Sequence, residues 1–154
     1  MDENVCCPPF DPTPWKDTLV SFDDRKFVKK RVRTFFFIPL NFGQVMRTAQ
    51  AQIERAGAKV VDNMALSNHV SRWTMEVLVA VDREVPGQKM AFLKGQLLSN
   101  VYEGPFKNTG IWCKDFEALA KKRNVPIHTW YMWYTTCPKC AKKYGKNPVV
   151  ILGA

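Results

Sequence analysis

The sequence predicts an α+β protein built from two β-α-β-β units. Two stretches of helical periodicity are each followed by a pair of strand-like runs, and this order recurs at an offset of roughly 65 residues. The chain has 154 residues, 46% hydrophobic and 24% charged, enough for one domain or two small halves and too apolar for a wholly disordered chain.

Residues 1–30 read as an N-terminal arm, because Pro8, Pro9, Pro12 and Pro14 deny it regular structure. Phe10, Trp15, Phe22 and Phe27 are the side chains with which it would dock on the remaining 31–154. The first half, about 31–84, opens with the aromatic run RTFFFIPL (33–40), a strand closed by Pro39. GQVMRTAQAQIERAG follows as an amphipathic helix with Val45, Met46, Ala49, Ile53 and Ala56 on one face and Gly57 as its stop. Runs 59–68 and 72–82 are two further strands, separated by only His69, Val70 and Ser71. The second half, about 88–154, repeats the pattern. Its parts are a long strand over 91–104, a helix opened by Asn108 or Thr109 that buries Trp112, Phe116, Leu119 and Ala120, and strands over 128–136 and 147–153. Each helix covers one face of its strands, which leaves the other face for function.

Lys and Arg number 23 against 14 Asp and Glu, a formal net charge of +9. Much of the excess sits in two groups, Arg25 to Arg33 and Lys121 to Lys146, which read as solvated surface and make a nucleic-acid partner unlikely on charge alone. No apolar run approaches the roughly 20 residues of a membrane span, and the acidic, Pro-rich start lacks a signal-peptide pattern. A cytoplasmic protein without a membrane partner is the expectation.

Strand alternation assigns faces. In 72–82, Met75, Val77, Val79 and Val81 form an apolar set suited to lie beneath a helix, so Thr74, Glu76, Leu78 and Ala80 face away from it. Glu76 is then a mid-strand carboxylate among hydrophobic residues, where burial favours a proton-transfer role; the plainer alternative is an edge glutamate in water. The run HTWYMWYTT puts Trp130, Met132 and Tyr134 on one face and Tyr131 and Trp133 on the other. Such a density of aromatic residues offers flat contact area for a ligand, or an ordinary core.

Cys137 and Cys140 form a CPKC turn, but Cys6, Cys7, Cys113, His69 and His128 lie at spacings that complete neither a zinc site nor a redox motif. No metal and no cofactor is expected. Neither histidine has a triad-like neighbour and no phosphate loop occurs, which disfavours serine hydrolases and nucleotide enzymes.

The β-α-β-β order, the VYEGPF segment before the second helix and the terminal WYMWYTTCPKCAKKYGKNPVVIL resemble the GyrI-like small-molecule-binding domain, in a subgroup with a CPKCAKKYGKN signature. The resemblance covers about 26–154. It implies a tandem SHS2-type module, two pseudo-symmetric β-α-β-β units with a ligand cleft between the halves, and a flat lipophilic small molecule as partner. Some stand-alone members are cyclopropanoid cyclopropyl hydrolases, which open the cyclopropane of spirocyclopropylcyclohexadienone DNA alkylators. Many members pair a cleft glutamate with cationic ligands; Met132 stands at that position here. The implied chemistry makes Glu76 the general base and Tyr134 the donor to the dienone oxygen, with Glu103 as the runner-up carboxylate. Phe36, Trp112, Trp130 and Trp133 would stack on the substrate beside Met132. The alternative implied function is a non-catalytic module that binds or senses lipophilic or cationic drugs. The family's relation to inhibitors of DNA gyrase leaves a protein partner open.

Overall fold

The computed structural model describes residues 10–36, 38–135 and 147–154. It is a mixed α/β structure rich in sheet, with two α-helices among the described residues. The chain divides into two compact units, named here from their place in the sequence: a middle unit, Phe22–Gly95, and an outer unit, Met1–Ser21 with Gln96–Ala154. The strands β1 (Thr18–Phe35) and β5 (Met90–Tyr102) each run from one unit into the other.

In the middle unit, β1 is followed by β2 (Ile38–Pro39), α1 (Phe42–Arg55), β3 (Val60–His69) and β4 (Thr74–Val81). These strands stand in the order β2-β1-β4-β3 with antiparallel pairings. The alternation of 72–82 is realised: Met75, Val77, Val79 and Val81 join Val28, Val32 and Ile53 of α1 in one buried cluster. Helix α1 ends where the sequence predicts. Gly57 takes φ 74° just past the C-cap Ala56, a left-handed turn that glycine adopts without steric penalty.

Two expectations change here. The stretch read as arm carries a 3-10 turn at Thr13–Trp15 and then strand from Thr18, since no proline follows Pro14 until Pro39 and Phe22, Phe27 and Val28 all bury their side chains. The run 33–40 is a tight reversal and not one strand: Phe36 turns with φ 45°, and Ile38 and Pro39 pair back on Phe35 and Thr34. Pro39, which has no N–H to donate, is accommodated because β2 lies at the end of the strand order.

In the outer unit, β5 leads to α2 (Thr109–Lys122), β6 (Trp130–Tyr134) and β7 (Val149–Gly153), with β7 paired antiparallel to both β5 and β6. Leu98, Trp112, Phe116, Ala120, Met132, Val149 and Ile151 make its core under α2. Asn108 is the N-cap of α2, without a side-chain capping bond. Asn124, at φ 56°, ends α2 as Gly57 ends α1.

Candidate functional site

Glu76 lies on the face of β4 turned away from α1. Its cross-strand neighbours are Arg31 on β1 and Asn68 on β3. Two residue pairs along, and so on the same face, Lys29 stands opposite Leu78, and its Nζ reaches the Glu76 carboxylate at 2.7 Å. The Glu76 side chain is 17% exposed and that of Lys29 41%, so the carboxylate is shielded while its cation opens to water. Alternation thus puts Glu76 on the correct face, but its neighbours are not only hydrophobic as the sequence suggests. Lys29, Arg31 and Asn68 surround it, and the sheet register that brings them there is decided by two other strands. A shielded carboxylate held by an ammonium group can order a water and accept its proton, and the ammonium can meet negative charge that develops on a substrate.

The other predicted site residues separate into different surroundings. Phe36 belongs to the middle unit and is exposed, in contact with Phe35 and Trp73 at ring-centroid distances of 4.9 and 5.2 Å. Trp112 is buried in α2 and stacks on Tyr102 at 6.1 Å; Trp130 meets Phe116 edge-on at 5.1 Å; Met132, also on β6, is buried in the same cluster. These three serve the α2 core: strand alternation turns Trp130 and Met132 under the helix, and Trp112 meets that cluster from the buried face of α2. Tyr134, on the same face but exposed, directs its hydroxyl at Met132 Sδ, 3.7 Å away. Desolvation, with a smaller contribution from Cys113, raises its phenol above the ordinary value. It therefore stays protonated at neutral pH and can donate.

Trp133 points to the opposite face of β6, where Phe10 and Trp15 meet it edge-on at 5.2 and 5.1 Å. This stretch is tied down further: Ser99 Oγ donates to the Trp15 carbonyl at 2.8 Å, and Arg123 Nε to Asp17 Oδ1 at 2.8 Å. The arm docks through two of the aromatics the sequence singles out, and it does so on the sheet face that the sequence reserves for a ligand. Glu103 is exposed beside Gly104, whose N–H and carbonyl both bond the side chain of Asn147. Cys137 and Cys140 lie outside the described residues, as do Cys6 and Cys7. Cys113 is free, and burial pushes its thiol up.

Sequence reasoning missed two groups. A pocket of about 310 Å³ in the middle unit is lined by Gln52, Arg55, Ala56, Val85, Pro86 and Gln88. The side-chain oxygens of Gln52 and Gln88 both accept from Lys30 Nζ, the latter at 2.6 Å, and desolvation lowers the Lys30 pKa. None of the predicted site residues lines it. In the outer unit, Tyr102 donates to Asp115 Oδ2 at 2.6 Å and accepts from Asn100 at 3.2 Å. Both groups join residues far apart in sequence, and only the even spacing of Val28, Lys30 and Val32 hinted that Lys30 shares the helix-covered face.

Comparisons with known proteins bear on the fold and the family. A crystal structure of an uncharacterized conserved protein from Listeria innocua is similar over 90% of this chain and 91% of its own, with a TM-score of 0.61 and 8% sequence identity. At that identity the likeness concerns the fold alone. No curated protein matches the chain. The family model described as bacterial hydrolase matches residues 1–154, the entire sequence, and the chain belongs to that family.

Proposed function

We propose that the protein hydrolyses flat, lipophilic, electrophilic small molecules, with Glu76 as the general base. The observation that carries this reading is the Glu76 carboxylate, 17% exposed in mid-strand and 2.7 Å from Lys29 Nζ, in a chain of a hydrolase family. The substrate class comes from the resemblance to GyrI-like cyclopropyl hydrolases. The shared strand order of the two units, in which the last strand lies between the other two, supports reading them as pseudo-symmetric β-α-β-β units. Detoxification of such compounds in the cytoplasm would be the biological role.

In the reaction, Glu76 takes a proton from water as the water oxygen bonds to a cyclopropane carbon. The strained C–C bond breaks, and its electron pair aromatises the dienone to a phenolate. The Lys29 ammonium, 2.7 Å from Glu76, would meet the negative charge that develops on that oxygen. The phenolate then takes up a proton, so the net change is addition of one water.

Incubation with a cyclopropanoid alkylator, followed by mass spectrometry, tests the proposal. The expected product is the water adduct, with Glu76→Gln slowed by at least about a hundredfold, the lower range for loss of a general base. Full turnover by Glu76→Gln would remove Glu76 from the role. The Lys29 ion pair also fits a second reading, a binding module in which Glu76 only balances the charge of the sheet. Tight binding with recovery of unchanged ligand would select it.

A further inference from the structure

At one end of the middle unit, the β1–β2 turn and the β3–β4 turn stand side by side. The backbone N–H of Thr34 donates to the Trp73 carbonyl at 2.9 Å, and its hydroxyl donates to the Arg72 carbonyl at 2.6 Å. The two turns are therefore one tip. Its apolar side chains are not buried: Phe35, Phe36, Ile38, Leu40, Val70 and Trp73 are each 52–66% exposed. Phe35, Phe36 and Trp73 pack on one another at 4.9–5.8 Å. Phe36 is also held at φ 45°, a conformation that a bulky side chain seldom adopts, and it keeps the ring outside the sheet. An apolar cluster of this size left in water marks a surface with a partner.

The charge around the tip identifies the partner. Residues 25–53 contain seven Lys and Arg and no Asp or Glu, and 67–75 contain Arg72 and no acid. Arg31, Arg33, Arg47 and Arg72 are all exposed. A second copy of the chain docked here would set Arg33 and Arg72 of each copy against like charges. An anionic bilayer surface matches both halves of the pattern: aromatic rings suit the headgroup boundary, and guanidinium groups pair with lipid phosphates. We propose that this tip attaches the protein to anionic lipid bilayers, Phe36 and Trp73 entering the interface while Arg33 and Arg72 hold phosphates. The attachment is to one surface only; no helix among the described residues is long and apolar enough to cross a membrane. Such attachment goes beyond the expectation of no membrane partner and is independent of the hydrolytic reading.

Co-sedimentation of the full chain with vesicles of phosphatidylcholine, with or without phosphatidylserine, tests this. Binding is expected on the phosphatidylserine vesicles only, weakening as salt rises. Arg33→Gln and Arg72→Gln should each weaken it about fivefold. The double variant Phe36→Asn/Trp73→Ser, in which asparagine tolerates the left-handed turn, should weaken it at least about tenfold. Brominated lipid should quench the wild-type tryptophan emission, and less so in Trp73→Phe. If the double variant melts below the wild type, the two arginine variants and the quenching decide. Equal binding to neutral vesicles, or binding unaltered by the arginine variants, would overturn the proposal. So would a wild-type dimer that ignores vesicles and becomes monomeric in the tip variants, which would assign the tip to a second copy.

Discussion

At the scale of single residues, environment decides what each side chain can do. Glu76 lies within β4 and Glu103 beside the turn at Gly104, and of the two only Glu76 is shielded and ion-paired. Because Lys29 is partly in water, the pair adds modestly to stability, and Lys29→Ala should cost about 1 kcal/mol in urea denaturation. Gly153 is the tightest glycine: a Cβ there would lie 3.0 Å from both Ile127 Cγ2 and Phe116 Cε1. Gly153→Ala should destabilise by about 1–3 kcal/mol through overpacking, measured by thermal melting. Tyr102 gives a pH signature. Desolvation, helped by the bond to Asp115, raises its pKa above the unfolded value of 10.0. A raised pKa means that its contribution to stability is complete below pH 10 and is lost as pH climbs through the folded value. Denaturation at pH 8 and in steps above pH 10 should show stability falling, and falling less steeply in Tyr102→Phe.

At the scale of elements, periodicity is reliable where one face is buried. Both helices and the alternating β4 follow the sequence reading closely, because Ile53, Phe116 and the valines of β4 each have a fixed side to hide. The fully buried Ile53 and Phe116 should each be costly to truncate, about 2–5 kcal/mol for Ile53→Ala and 3–5 for Phe116→Ala. A smaller loss in chemical denaturation would contradict the packing described. Periodicity fails for 33–40, where an apolar run is exposed on both sides and reverses at Phe36. Composition alone reads such a run as a buried strand. The same limit applies to Trp112, Trp130 and Met132: alternation groups the two strand residues correctly, but whether that face meets a ligand or a helix is settled by packing.

At the scale of the molecule, the outer unit is assembled from two distant segments of chain. Trp15 and Phe10 cover Trp133, and Asp17 holds Arg123. A fragment of residues 96–154 lacks these covers and should fail to show a cooperative melt, whereas the whole chain melts cooperatively. Circular dichroism of the two samples checks this. The sequence by itself determined the mixture of helix and strand, the two helices with their stops, and the face on which Glu76 lies, since each follows from local periodicity and backbone preference. Tertiary structure alone decided that Lys29 pairs with Glu76, that the arm covers Trp133, and that the aromatic tip stays in water. These depend on register and on contacts between residues far apart in the chain, which no local pattern encodes.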